Sequence, residues 1–195
     1  VISEQQLGFI GNKTQYRQRV AWDSTPLDVL FNPQKDHFLI LTQNSLYRFT
    51  PQDQNLKEVY SGNGFTSMEF YRHRLVLGTH RGICFIDQEN WVLEKNLDQL
   101  PYPEITVLKN IGGTLWAGST KGAFKFKTNG KYDYYASRRW LLDDCVSAIA
   151  RGPDQSILIL TQKGMNQICF QPMTLEKKAA HFQDIQRKRH IRYGL

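Results

Sequence analysis

Cysteine is scarce in this sequence: Cys84, Cys145 and Cys169 are an odd set with no C-x-x-C spacing. That argues against both a full disulfide framework and a zinc knuckle. Cys84 and Cys169 lie in apolar, strand-like runs and read as buried free thiols, with one disulfide left open. No apolar run reaches the roughly 18 to 20 residues that span a bilayer, and the opening "VISEQQLGFIGNK" lacks the basic and apolar regions of a secretory signal. His37, His73, His80, His181 and His190 show neither H-E-x-x-H nor H-x-H spacing, so no metal is expected. Serine and cysteine nucleophiles have no recognisable elbow around them, and neither a catalytic residue nor a cofactor is assigned. His80, or His73 with Tyr71, is the residual catalytic option, with His80 the poorer because it falls on a turn.

What the chain has is the material of a folded domain. Its 195 residues are 41% hydrophobic, 12% aromatic and 22% charged, which suits a sizeable aromatic-rich core. The formal charge of +7 is unevenly spread. Lys177, Lys178, Arg187, Lys188, Arg189 and Arg192 crowd the last twenty residues, and the remainder is nearly balanced. The run "QRKRHIR" has the composition of a phosphate-binding patch, but no base-stacking platform accompanies it, so nucleic acid is not the expected partner.

The organisation comes from an internal repeat. "LILTQNSLYRFT", "LVLGTHRGICFID", "LWAGSTKGAFKFK" and "LILTQKGMNQICF" each read as a strand, a small polar turn and a second strand. The turn closes on Ser45, Gly82, Gly122 and Gly164, spaced 37, 40 and 42 residues apart. A glycine in that slot supplies the positive φ that a tight hairpin demands, and "LGFIGNKTQYRQ" is a weaker fifth copy with Thr14 in its place. Upstream of each turn lies another strand-like run: "PLDVLFNP", "TSMEFYRH", "EITVLKNI" and "VSAIARGP". "LKEVY", "WVLEK" and "KYDYY" follow the first three. The unit is a four-stranded antiparallel meander of about 40 residues, and the predicted fold is an all-β propeller of four-stranded blades. Repeats fall at about 20–61, 62–101, 102–145 and 146–173, after a partial repeat at 1–19.

Particular motifs carry a family resemblance. Asp143-Asp144, Val146 and Ile149 fit a "DD-x-V-x-x-I" opening of the innermost strand, and Trp116, Gly118, Ser119 and Gly122 fit a "W-x-G-T-x-x-G" middle hairpin. Over residues 20 to 170 the pattern resembles the propeller repeats of two-component regulators. Those repeats form extracytoplasmic sensor portions of bacterial hybrid histidine kinases and recur in carbohydrate-active proteins, including polysaccharide-lyase-like ones. The resemblance implies a periplasmic or extracellular setting and a non-catalytic sensor or interaction module. The alternative is the propeller portion of a polysaccharide-processing enzyme whose helical catalytic domain lies beyond residue 195. Fold does not carry function by itself.

In a propeller, loops entering the innermost strands surround the central channel and vary without disturbing the blades. Here they are "WDSTP", "SGNGFTS", "LPYPE" and "YASRRWLLDDC", of which the last is chemically richest. Tyr134, Tyr135 and Trp140, with Tyr132, offer rings for stacking on a sugar. Arg138 and Arg139 offer forks for carboxylate or sulfate, and Asp143 and Asp144 complete the candidate site. The expected ligand on this channel face is a glycan, acidic if the arginines engage it, or a protein. A purely structural role is also open: Trp140 and Leu142 would plug between blades, Arg139 would pair with Asp143 or Asp144, and the two aspartates would cap the turn.

The tail "MTLEKKAAHFQDIQRKRHIRYGL" predicts a linker helix from about Leu175 to Arg189, capped by Thr174, within a segment 174–195 that leads to a downstream domain of the same polypeptide. Because the fourth repeat lacks an outer strand, residues 1–173 read as a fragment of a larger propeller. In a closed four-bladed ring, "QYRQRVAW" would supply the missing strand. Asn12-Lys13-Thr14 is a single glycosylation-type sequon.

Overall fold

A computed structural model describes residues 6–10, 15–170, 174–176, 179–180, 183–184 and 187. Three four-stranded meanders follow one another. The first blade is β3 (Asp28–Asn32), β4 (His37–Leu41), β5 (Ser45–Thr50) and β6 (Asn55–Ser61), preceded by a hairpin of β1 (Gln6–Ile10) and β2 (Gln15–Arg19). The second is β7 (Phe65–Tyr71), β8 (Arg74–Thr79), β9 (Gly82–Ile86) and β10 (Leu93–Leu97). The third is β11 (Ile105–Ile111), β12 (Thr114–Ser119), β13 (Gly122–Phe126) and β14 (Tyr132–Tyr135). A fourth blade has three strands, β15 (Val146–Arg151), β16 (Ile157–Thr161) and β17 (Gly164–Ile168). All pairings are antiparallel between consecutive strands, which makes these sheets propeller blades.

Strand alternation explains how the blades stack. On β8, Leu75 and Leu77 pack with Leu39, Leu41 and Met68 between the first and second blades, while Val76 turns the other way to meet Ile105, Leu115 and Phe124. On β12, Leu115 and Ala117 face the second blade, and Trp116 faces the fourth, against Val146, Ile149 and Ile159. Each sheet is thus apolar on both faces, which a lone meander could not keep from water. The innermost strands lie in the order β3, β7, β11, β15 and pack on one another in turn.

The ends of the row show what a neighbouring blade supplies elsewhere. Leu7 from β1 is buried with Ile40 and Phe49, so the first hairpin covers the outer part of the first blade. The inner part of the same face is open, with Val29 48% and Phe31 45% exposed. At the other end Leu160 and Met165 face outward and are exposed.

β2 pairs with β1, in the register Gln6↔Arg19 to Ile10↔Gln15. The strand that a closed four-bladed ring required is therefore occupied, and among the described residues nothing pairs with the outer edge of β17. The three cysteines are free. Cys169 is exposed rather than buried, because it follows the end of β17 on that uncovered edge. The C-terminal helix expected over 175–189 is not among the elements of the structure. Isolated positions such as 175–176 and 179–180 have helical backbone, but most of the segment, like the Asn12-Lys13-Thr14 sequon, lies outside the described residues.

Candidate functional site at the channel mouth

The second-to-third-strand hairpins are built alike down to a hydroxyl. Gly82 and Gly122 have φ of +126° and +131°, and a side chain there would meet the carbonyl of Leu97 or Tyr135 on the outermost strand, at 2.0 and 2.4 Å. Three residues before each turn position stands Thr42, Thr79, Ser119 or Thr161. Thr79, Ser119 and Thr161 donate their hydroxyls to the carbonyls of Gly82, Gly122 and Gly164, at 3.1, 2.8 and 2.8 Å, and Thr42 Oγ1 lies 3.0 Å from the Ser45 carbonyl and accepts the Ser45 amide at 3.0 Å. All four hydroxyl residues are buried. The hairpins are hydrogen-bonded reverse turns with no phosphate cradle, but their two tip residues are placed where a ligand could reach them.

Antiparallel order puts these tips on the same face as the loops that enter the innermost strands, and the two are tied together. The amide of His80 donates to the carbonyl of Gly64 (3.0 Å), and that of Thr120 to the carbonyl of Glu104 (3.2 Å). The Gln43 amide donates to Ser24 Oγ (3.0 Å), while Asp23 accepts the hydroxyl of Thr42 (2.6 Å). Tips and entering loops thus form one rim. Inside it opens a cleft of about 500 Å³ drawn from the first three blades. Leu27, Phe65 and Ile105 give it apolar walls; Ser24, Thr25, Gln43, Thr66, His80, Glu104, Thr106 and Thr120 give it polar groups.

Two of those hydroxyls arrive through a shared irregularity. The pairing of the innermost strand slips between Phe65 and Ser67, between Ile105 and Val107, and between Val146 and Ala148. The residues at the slip are Thr66, Thr106 and Ser147. A bulge re-aims the extra side chain, here at the mouth of the channel. Thr106 Oγ1 donates to the Val146 carbonyl of the next blade (2.6 Å), and Ser147 Oγ donates to the Leu160 carbonyl (3.3 Å). Thr66 Oγ1 is buried without a partner among the described residues. A buried hydroxyl in that condition is costly, which marks it as a group awaiting a partner. From the sequence, His80 falls on a turn, but nothing there brings it together with Ser24, Thr66 and Thr120 in a cleft. The signal was present in the recurrence of F-T-S, I-T-V and V-S-A at the strand starts.

The candidate residues of the fourth entering loop sit in a compact knot on the same face. The Ala136 carbonyl accepts the amides of Arg139, Trp140 and Leu141, and Asp144 Oδ1 accepts the Ser137 amide at 2.7 Å, closing the loop. That hydrogen bond holds the Asp144 carboxyl below its ordinary pKa. Tyr135, Trp140 and Arg139 come together: the Tyr135 and Trp140 rings are 6.0 Å apart, and the Arg139 guanidinium lies 4.7 Å above the indole. Trp140 is 47% exposed, but Arg139 must swing aside before a sugar can use that face.

The other candidates point elsewhere. Tyr134 stacks with Tyr102 (5.4 Å) and donates its hydroxyl to the Lys121 carbonyl. Burial, followed by the neighbouring Tyr102 and Asp144, pushes its pKa up to about 12. Asp143 accepts the Cys145 amide (3.3 Å) and lies 3.9 Å from Lys163. Arg138 is exposed on the surface of the loop. The residue that plugs between blades is Leu141, which is buried with Trp116 and Val146, rather than Trp140 or Leu142. Arg139 takes the indole instead of a carboxylate as its partner.

Among the described residues, no group of three His, Cys, Asp or Glu side chains is close enough to hold a metal ion, and no helix is long and apolar enough to cross a membrane.

No family model matches the chain, and no curated protein matches it. Solved structures do. The extracellular domain of a protein described as the hybrid two-component system BT4673 of B. thetaiotaomicron superposes with a TM-score of 0.64 at 16% identity, over 88% of this chain and 24% of that one. The corresponding domain of BT3049 from the same organism gives 0.65 at 12% identity, over 82% and 25%. Virginiamycin B lyase of Staphylococcus aureus, in a catalytically inactive H270A form with quinupristin, gives 0.63 at 10%, over 86% and 64%. The chain is a run of β-propeller blades. It spans about a quarter of the length of the two extracellular domains it matches.

Proposed function

We propose that this chain is part of a non-catalytic β-propeller sensor or interaction module that recognises a polar ligand, in the first instance a glycan, at its channel mouth. The observation that carries the reading is the cleft itself. Loops and hairpin tips from three blades converge hydroxyl, amide, imidazole and carboxylate groups above apolar walls, and the buried Thr66 hydroxyl lacks a partner. Such a mixture suits a polyhydroxylated ligand, whose hydroxyls need both donors and acceptors and whose ring faces are apolar. Arg138, Arg139 and Trp140 stand at the edge of the same face and would extend the site toward an acidic sugar. The extracellular sensor-system domains with the same blades support an extracytoplasmic location and a downstream domain in the same polypeptide.

The test is calorimetric titration of neutral and uronic-acid oligosaccharides against the protein, a Thr66→Val variant and an Arg138→Ala, Arg139→Ala double variant. Thr66→Val is expected to weaken both ligand classes, and the double variant the acidic class alone. Equal or absent binding by all three proteins sinks the proposal, and turnover of the oligosaccharide would make the module part of an enzyme instead.

A further inference from the structure

On the face opposite the channel mouth, where each innermost strand reverses into the second, two clefts open between blades. The cleft between the first and second blades, about 280 Å³, is closed on itself by hydrogen bonds. Asn32 Nδ2 donates to Gln88 Oε1 (2.9 Å), Gln88 Nε2 donates to the His73 carbonyl (3.0 Å), and Asn110 Nδ2 donates to the Phe70 carbonyl (3.0 Å). The cation that lines it, Arg72, lies over the ring of Tyr71 at 5.0 Å, and nearby Lys35 donates to the Gln88 carbonyl (3.2 Å) and pairs with Glu89 at 2.8 Å.

The cleft between the third and fourth blades, about 250 Å³, has no such closure. Its polar side chains are Lys125, Arg151, Thr114 and Gln155, and no carboxylate lines it. None of the four makes a side-chain hydrogen bond or an ion pair with another described residue. Lys125 Nζ lies instead over the ring of Phe170 at 4.0 Å and 5.7 Å from the ring centre of Trp116. Asp133, directly opposite Lys125 across the β13–β14 pair, is engaged by Lys127 at 2.5 Å. At the position corresponding to Lys125, three residues after the turn glycine, the second blade carries Phe85. Two cations thus line one recess without an acidic partner among the described residues, which raises the local positive potential and favours a counter-charge that no described residue provides.

We propose that this recess binds a small organic anion, a carboxylate or phosphate monoester with a compact apolar body. The headgroup lies between Lys125 and the Arg151 fork, Thr114 and Gln155 complete its hydrogen bonds, and the body rests on Phe170. Arginine favours planar, bidentate contact with either headgroup. The volume is below the roughly 300–1,000 Å³ of drug-sized ligand sites, which limits the ligand to a small molecule. The site is independent of the cleft at the channel mouth.

The probes are benzoate, phenyl phosphate and the neutral isostere benzamide, titrated against the protein at low and raised ionic strength. Binding of at least one anion, weakened by salt, with none by benzamide, is the expected result; the preferred anion identifies the headgroup. Lys125→Met, which keeps the apolar stem, and Arg151→Gln are each expected to weaken binding at least tenfold. Absent anion binding, equal binding of benzamide, or unchanged affinity in a variant carrying both Lys125→Met and Arg151→Gln overturns the proposal. Should the variants fail to fold, NMR shifts on the wild-type protein decide: benzoate- or phosphate-dependent shifts at Arg151 and Phe170 support the site, and shifts confined to other residues refute it.

Discussion

A methyl group on Gly118 would fall 2.5 Å from Cγ1 of Val146, the first residue of the next blade's innermost strand. Gly78 stands in the same relation to Ile105, whose Cγ2 would lie 2.8 Å from an added Cβ. The corresponding residue of the fourth blade is Leu160, which is exposed and against which no further blade packs among the described residues. The glycine before the turn therefore sets how closely two blades approach. Gly118→Ala is expected to destabilise by about 1–3 kcal/mol through overpacking. Leu160→Ala should stay within about 0.5 kcal/mol, as surface changes do. Denaturant midpoints of the two variants, at unchanged m, test the contrast.

The buried hydroxyls of the hairpins give a second expectation. Thr79 Oγ1 both donates to the Gly82 carbonyl (3.1 Å) and accepts the Arg81 amide (3.0 Å). Thr79→Val keeps the shape and leaves both backbone groups without this partner, at a cost of about 1–3 kcal/mol. Thr79→Ser should recover most of that loss. Thermal unfolding of the pair separates the hydroxyl from the methyl group.

His37 makes stability depend on pH on the acid side. The residue is 4% exposed, its Nε2 has no partner among the described residues, and its ring lies 6.3 Å from that of Trp91. Burial, then the charge of Arg48, lowers its pKa below 6.5. The unfolded chain therefore takes up a proton first as pH falls, so stability is lost below about 6.5 until the folded-state pKa is passed. His37→Phe is expected to flatten this part of the curve of melting temperature against pH, and an unchanged slope would refute the assignment.

Tyr134 acts on the alkaline side. With its pKa raised to about 12, it keeps its proton after an unfolded tyrosine, near 10, has lost it. Stability from this group is complete below pH 10 and declines as pH rises toward 12. Burial raises Tyr47, Tyr60 and Tyr135 as well, so ultraviolet titration of tyrosinate should show a late-titrating phase that loses one tyrosine, the last toward pH 12, in Tyr134→Phe.

The blades were legible because each one writes the same spacing. Small residues at Ser45, Gly82, Gly122 and Gly164 recur where a hairpin needs them, and apolar alternation on either side gives the strands. The loop around Arg139 was legible as a chemically rich segment, but its pairings were not. Whether Arg139 meets Asp143 or Trp140 depends on where the Ala136 turn folds the chain back, a matter of a few ångströms. The channel-mouth cleft was missed because Ser24, Thr66, His80 and Thr120 are distant in sequence and individually ordinary.

By itself, the sequence determined the blade: its four-strand order, its turns and the two apolar faces that oblige it to stack, since these follow from local periodicity and backbone geometry. Only the tertiary structure decided which groups share a space. Stacking places the bulged Thr66 beneath the tips of neighbouring hairpins, and it brings Lys125 of one blade to Arg151 of the next. Those meetings are set by packing between sheets, which no single stretch of residues records.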